Sequence, residues 1–157
     1  MGRMYTVTFQ NIAVTAAQDF FEISPADDKP VLIHGVCVGQ SSDSGDAASE
    51  LLRWSIVRGH TSSGSGGSAQ TGRPALSVNG AAAGFACEVN NTTIASGGTP
   101  ITLHADVFNV MTGLVWIPTP EMRIGASQAD TTICVRLLST PADSLTMDGV
   151  LYLEELY

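Results

Sequence analysis

The chain of 157 residues is poor in charge, since only 14 % of its residues are Asp, Glu, Lys or Arg and Lys29 is its one lysine. With a formal net charge of −8 it lacks the basic stripe that nucleic-acid binding requires. No segment approaches the roughly 20 apolar residues of a membrane helix, and MGRMYTVTFQ has no apolar run of signal-peptide length. We therefore expect no direct nucleic-acid binding, no membrane partner and no secretion.

Recognisable catalytic and cofactor motifs are also missing. No G-x-S-x-G elbow is present, and the glycine-rich stretch 64–67 lacks the Gly-Lys-Ser/Thr that completes a phosphate-binding loop. His34, His60 and His104 are too widely separated to form a local metal motif. Asp106 shares a strand face with His104, and the pair could bind a cation, but a hydrogen-bonded surface or interface pair is the preferred interpretation. We expect a protein without enzymatic activity, cofactor or metal.

The cysteines are few and odd in number: Cys37, Cys87 and Cys134. None forms a CxxC pair, and all three lie in apolar or strand-like surroundings. Free buried thiols, made in a reducing compartment, are the simplest account.

Glycine, serine, threonine and alanine are abundant, and the clearest patterns are those of β-strands. Two segments, Val31 to Gln40 and Glu50 to Gly59, flank a polar turn at 41–49. The second segment alternates with period 2, with Leu52, Trp54 and Ile56 on one face and Arg53 and Ser55 on the other. The first segment is apolar on both faces, with Val31, Ile33 and Cys37 alternating with Leu32, Val36 and Val38, so we expect it to be covered on both sides.

Further strand-like segments occur at roughly even spacing along the whole chain. They are 5–9, 20–23, 83–89, 101–107, 114–117, 131–138 and 145–153. The segment 101–107 places Ile101, Leu103, Ala105 and Val107 opposite Thr102, His104 and Asp106. About eight strands with long Gly/Ser-rich loops predict one all-β domain over 1–157, a two-sheet sandwich of the jelly-roll type. An immunoglobulin-like sandwich is the second choice, although Cys37 and Cys134 flank Trp54 too widely.

Residues 59–84 contain the tract TSSGSGGSA, which cannot pack a core. Two interpretations remain open: a mobile surface loop, or an ordered arm that approaches a neighbouring subunit through its glycines. Arg73, Pro74 and Leu76 would be the anchors of such an arm. A structureless loop of this length is uncommon inside a compact domain.

High apolar content (44 %) with little charge suggests that some apolar surface is hidden by association, so we expect a homo-oligomer. Trp54 is predicted to pack in the core, whereas the prolines that follow Trp116 place it at an exposed end. The candidate interface residues are His34, His60, Arg73, Leu76, Trp116 and Tyr152.

Several stretches together resemble virion structural proteins of tailed bacteriophages, of the capsid decoration or cement type. They are YTVTF at 5–9, SPADDKP at 24–30, LLRWSIVRGHTSSGSGG at 51–67, FACEVNNTT at 85–93 and PADSLTM at 141–147. The resemblance implies a β-sandwich subunit, commonly trimeric, that binds the major capsid protein on the capsid exterior and stabilises the head. It implies synthesis in the bacterial cytoplasm, and it carries over no catalytic residue.

Two other classes remain as alternatives. A carbohydrate-binding jelly roll from a head or tail fibre would use Trp116 or Tyr152 to contact a glycan. A cupin-type metal enzyme would need several His and Glu ligands converging inside the barrel, which the scattered histidines make a poor choice.

Overall fold

The computed structural model describes residues 2–42 and 50–157, which form twelve β-strands and two single-turn 3-10 helices, at Pro120–Met122 and Gln128–Asp130. The strands are β1 Arg3–Val14, β2 Gln18–Ser24, β3 Val31–Gln40, β4 Leu51–Arg58, β5 Ser68–Gln70, β6 Arg73–Pro74, β7 Ala86–Asn91, β8 Ile101–Asn109, β9 Leu114–Trp116, β10 Ile124–Ala126, β11 Ile133–Leu137 and β12 Leu145–Glu155. Most of the turn predicted at 41–49 lies outside the described residues. Within them no helix is long and apolar enough to span a membrane.

The strands form two antiparallel sheets by nested pairing of the two halves of the chain. β1 pairs with β12, β2 with β11, β3 with both β9 and β10, and β4 with β8. The first sheet has the order β10-β3-β12-β1-β6 with β9 also on β3, and the second has the order β5-β7-β2-β11-β4-β8. A long hairpin rolled into two sheets in this way is a jelly roll. The predicted all-β sandwich is confirmed.

The core lies between the two sheets and contains the side chains that each sheet directs toward the other. Phe9 of the first sheet lies over Phe20 and Phe21 of the second, with ring centroids 6.0 and 5.3 Å away. All three rings are buried, and each contributes about 1.5–3 kcal/mol by leaving water. Period-2 alternation predicted the face of Phe9, but not the burial of both Phe20 and its neighbour Phe21, which occurs because Phe20 is an extra residue in the β2–β11 ladder.

The faces predicted for β3 are wrong in its second half. Tyr152 of β12 pairs with Gly35, but the next residue, Leu153, pairs with Ile33, so His34 is an extra residue in a bulge. The bulge turns Val36 and Val38 onto the same buried face as Ile33. Cys37 consequently lies half-buried on the outer face of the sheet.

Residues 59–84 cross from the edge of one sheet to the edge of the other. β5 adds to β7 in the second sheet, and β6 pairs with β1 in the first. The buried Tyr5 hydroxyl donates to the carbonyl oxygens of Ala81 and Ala82, at 3.0 and 3.3 Å. The segment, here called the arm, thus closes one side of the sandwich of its own chain.

We predict that Gly149→Ala destabilises the protein by about 1–3 kcal/mol, because the new Cβ would lie 2.5 Å from the buried ring of Phe9 and overpack the core. Gly39 provides a matched control on the neighbouring strand, since a Cβ there meets no atom within 4 Å. Urea unfolding should show Gly39→Ala close to the wild type. Equal losses at both positions would contradict the packing argument.

Candidate interaction surface

Strands β8 and β9 form the open side of the sandwich, here called the β8–β9 edge, where an aromatic cluster fills the gap between the sheets. The His104 ring lies between Trp54 and Trp116, with centroid distances of 4.9 and 5.2 Å. The two indoles meet edge to face at 6.4 Å. Trp54 is buried, as predicted, whereas Trp116 is half-buried. The cluster therefore holds the edge strands of the two sheets side by side.

The alternation predicted for β8 is present, but its polar face points inward. His104 lies opposite Ile56 and Phe108 lies opposite Leu52, both core residues. Val107, on the apolar face, is 48 % exposed. Beyond a bulge at Leu103 the faces are exchanged, so Ile101 lies opposite Arg58 and is 55 % exposed. On the other side of the sandwich, Val115 pairs with Cys37 on the outer face of the first sheet, and Val115 and Ile117 are 68 % and 70 % exposed.

The outer face of the first sheet carries two of the predicted interface residues. His34 contacts Glu154 at 2.8 Å, and Tyr152 is 40 % exposed. Beside them, Gly39 and Gly149 lie in a shallow hollow of about 400 Å³. The face is therefore mixed in character, with a polar pair and an open hollow.

Arg73 and Leu76 lie on the arm, at the edge of the first sheet opposite to β9. Arg73 pairs with Thr6 in the ladder, and the chain then turns outward. Leu76 and Val78 are 92 % and 96 % exposed, so they contribute almost nothing to the packing of their own chain. The predicted interface residues thus do not form one patch, because Trp116 and the arm lie at opposite edges.

His60 is the predicted interface residue that the fold buries, with only 4 % of its surface exposed. Its carbonyl accepts a hydrogen bond from the Thr132 hydroxyl, at 3.3 Å. Burial lowers the pKa of His60, and the charge of Arg136 acts in the same direction. The ring therefore lies inside the subunit as a neutral side chain and is not presented to a partner.

A buried ion pair, which sequence reasoning missed, lies on the outer face of the second sheet close to His60. The Nε and Nη2 atoms of Arg136 donate to the two carboxylate oxygens of Asp19, at 2.5 and 3.0 Å, and Nη2 also donates to the Ala95 carbonyl. The Ala95 amide in turn donates to Asp19, at 2.8 Å. Burial lowers the pKa of Arg136, but the hydrogen bond and charge of Asp19 outweigh it and keep the guanidinium charged. The pair fastens the loop around residue 95 to the sheet.

Glu22 extends this network to the glycine-rich tract. Its Oε2 accepts hydrogen bonds from the Gly64 amide and from Asn91, both at 2.9 Å. Glu22, Asp19 and Cys134 bring ligand atoms within 4.8 Å of one another and could surround a cation. Both oxygens of Asp19 are nevertheless engaged by Arg136, so the arrangement works as a structural clamp on the loops.

Comparisons with models of protein families, with curated proteins and with solved structures found no match to this chain.

We predict that Arg136→Leu destabilises the protein by about 3–5 kcal/mol, because it leaves the Asp19 carboxylate buried without a counter-charge. The double variant with Asp19→Asn should recover part of this loss. Asp130→Asn is the control: Arg58 pairs with Asp130 at 3.6 Å near the surface, and asparagine keeps an oxygen that can accept the hydrogen bonds from Ser127, so the change should cost less than about 1 kcal/mol. Chemical denaturation measures all three, and equal costs would refute the burial argument.

We also predict an order of thiol reactivity. Burial raises the pKa of all three cysteines, that of Cys87 to about 11, but Cys37 is only half-buried. Maleimide labelling of the native protein at pH 8 should modify Cys37 first and the other two only on unfolding. Rapid labelling of the Cys37→Ser variant would contradict this assignment.

The same pKa shifts predict how stability depends on pH. Above pH 9 the unfolded chain loses thiol protons that the folded chain keeps, so the free energy of unfolding should fall as pH rises from 9 to 11.

Proposed function

We propose that this chain is a non-enzymatic structural subunit that acts by binding other protein chains. More specifically, we propose a capsid decoration, or cement, protein on the exterior of a tailed-bacteriophage head, which binds the major capsid protein lattice. The jelly-roll sandwich agrees with what the sequence resemblance implies. The observation that carries the proposal is the exposure of the arm tip, defined by Leu76 and Val78.

The arm tip is exposed beyond what folding explains. Leu76 and Val78 are two residues apart and more than nine-tenths exposed, on a segment whose other parts are tied to the sandwich. A groove of about 300 Å³, lined by Pro74, Tyr5 and Tyr157 among others, lies beside them. Apolar side chains next to a groove suit docking on another protein surface.

Stabilisation of a shell by such a subunit follows from mass action. A subunit that binds the expanded lattice, and not its precursor, shifts the equilibrium toward the expanded form. Many copies on one shell add their contacts, so weak individual binding is sufficient. An acidic subunit of net charge −8 would have no electrostatic attraction to the packaged nucleic acid. Association of the subunits with one another belongs to the same proposal.

The carbohydrate-binding alternative has less support from the geometry. The Trp116 ring packs against Trp54 and His104, so part of its surface is already covered. Tyr152 lies on the outer face of the first sheet, whereas Trp116 faces inward from β9, opposite Val36. The two aromatic residues therefore do not form one stacking platform. A glycan array in which binding is lost on Trp116→Ala would favour this alternative.

We predict that the purified protein sediments with expanded capsids that lack it, and that it saturates them at a fixed ratio. Leu76→Ser with Val78→Ser should weaken binding by at least about tenfold, because each side chain loses a burial worth about 1.5–3 kcal/mol. Pelleting titrations would measure the affinity. Leu51→Ser with Met122→Ser, on residues that are 66 % and 67 % exposed and lie outside the arm, is the control and should bind normally.

Absence of wild-type protein from the capsid pellet would refute the decoration function. Normal binding by the Leu76/Val78 double variant would refute the role of the arm tip alone. Thermal unfolding of each variant should match the wild type, because the substituted side chains are exposed.

A further inference from the structure

β8 is an edge strand whose outward backbone groups have no strand partner among the described residues. Across from it, the amide of Arg53 donates to the Ser139 hydroxyl, and its carbonyl accepts from the Leu138 amide. Both groups of Arg53 therefore point toward β11, away from β8. Because Val107 lies opposite Arg53, and Ala105 lies opposite Ser55, the amides and carbonyls of Val107 and Ala105 point to the free side.

The other edge strands of the two sheets are short, and one of them contains a proline, whereas β8 is long. β5, β6 and β10 have three, two and three residues, and β6 contains Pro74, which has no amide hydrogen to donate. β8 has nine residues and contains neither proline nor lysine, the usual protections of an exposed edge. Its protections are local: the Asp106 carboxylate accepts a hydrogen bond from the Val107 amide, at 2.7 Å, and a bulge at Leu103 interrupts one end of the strand. The strand is thus open to another strand.

The sequence of β8 is complementary to itself in one antiparallel register. When two copies of β8 pair about a two-fold axis, the amides and carbonyls of two opposite residues must both point into the new ladder or both point away from it. Because this direction alternates along the strand, opposite residues are an even number of positions apart in the sequence, and the axis passes through a residue. An axis at Asp106 places two carboxylates together, and an axis at His104 places two imidazoles together. An axis at Ala105 places His104 of each copy opposite Asp106 of the other, which is the one arrangement of the three that pairs unlike groups.

Apolar groups match in the same register. Leu103 of one copy lies opposite Val107 of the other, on the apolar face where Val107 is 48 % exposed. Leu103 is the extra residue of a bulge in the β4–β8 ladder, and beyond it the regular alternation of the strand is interrupted. The new ladder between the two copies therefore ends at Leu103. The pairing therefore covers residues 103–107 in each copy.

We propose that two copies of the chain associate through β8, in antiparallel register about a two-fold axis at Ala105. Asp106 exchanges its contact with the Val107 amide for His104 of the second copy, and the freed amide enters the new ladder. The second sheets of the two copies become one continuous sheet, which is an isologous contact. This contact adds to the proposed function a way in which two subunits join. The pairing itself is independent of that function, and only its role on the capsid rests on it.

A two-fold contact predicts a dimer and not the trimer that the resemblance implies. Light scattering coupled to size exclusion should give twice the chain mass of 16.4 kDa. Ala105→Pro should convert the dimer to monomer, because proline removes an outward amide without touching the β4 ladder. Ala105→Ser keeps the amide and should remain dimeric. Circular dichroism should give the wild-type spectrum for each variant, which would show that the variant is folded.

The pairing of His104 with Asp106 has its own test. Asp106→Arg places a cation opposite His104 and should raise the dimer dissociation constant by at least about tenfold. Asp143→Arg makes the same charge change at an exposed loop residue and should have no effect. Sedimentation equilibrium measures both.

A cross-link tests the register without weakening the contact. Opposite Cα atoms in a hydrogen-bonded antiparallel pair are about 5.5 Å apart, a distance that a disulfide spans. In a Cys37→Ser background, Ala105→Cys should therefore oxidise to a covalent dimer. Thr102→Cys should not, because the two Thr102 residues would be about 20 Å apart.

A wild-type monomer, a trimer, or a dimer unaffected by Ala105→Pro would overturn the pairing. Failure of the protein to bind capsids would leave the pairing standing, whereas loss of pairing in a protein that still binds capsids would leave the proposed function standing. The two conclusions are therefore separated by experiment.

Discussion

The pairing of β1 with β12 is the constraint on which the remaining structure depends. These two strands occupy the middle of the first sheet, and ten residue pairs join them from Arg3 and Glu155 to Val14 and Leu145. The pairing also positions the buried carboxylate of Glu155, whose Oε2 accepts hydrogen bonds from the amides of Gly84 and Phe85, at 2.6 and 3.1 Å. The end of the arm is thereby held against the sheet, so the exposed tip projects from a fixed base.

Polar groups inside this protein organise loops more than they stabilise the sheets. The Asp19–Arg136 pair and Glu22 bind backbone groups of the segments around residues 95 and 64, which cover the outer face of the second sheet. A buried ion pair gives little net stability, since desolvation offsets attraction, but it is costly to leave half-made. Such a network favours one loop arrangement over the alternatives. The glycine-rich tract, which has few side chains to pack, is positioned by this means.

Much of the fold was predictable from the sequence because strand faces repeat every two residues. β4 matches its predicted faces, since Leu52, Trp54 and Ile56 point toward the core. The same rule failed in β3, where an extra residue at His34 shifts the alternation by one. It also misled at β8, an edge strand whose apolar residues are exposed while His104 packs between two tryptophans. Alternation alone identifies a strand but not its position in a sheet.

The candidate site was less predictable, because it depends on contacts between distant parts of the chain. Asp19 and Arg136 are separated by 117 positions, and only the strand pairing of β2 with β11 places them side by side. His60 follows a strand and precedes a glycine-rich tract, which suggested exposure, but the loops fold over it. A charged residue inside an otherwise apolar strand, such as Asp19 or Arg136, is the signal that would have indicated a buried pair.

The nested strand order also bears on synthesis. The strand 3–14 is synthesised long before its main partner, 145–155. The middle of the first sheet therefore cannot form until the second of these strands has left the ribosome, and apolar residues such as Val7 and Phe9 wait in an unpaired segment until then. The wide separation of the two strands in the sequence makes their pairing a non-local contact, which slows folding.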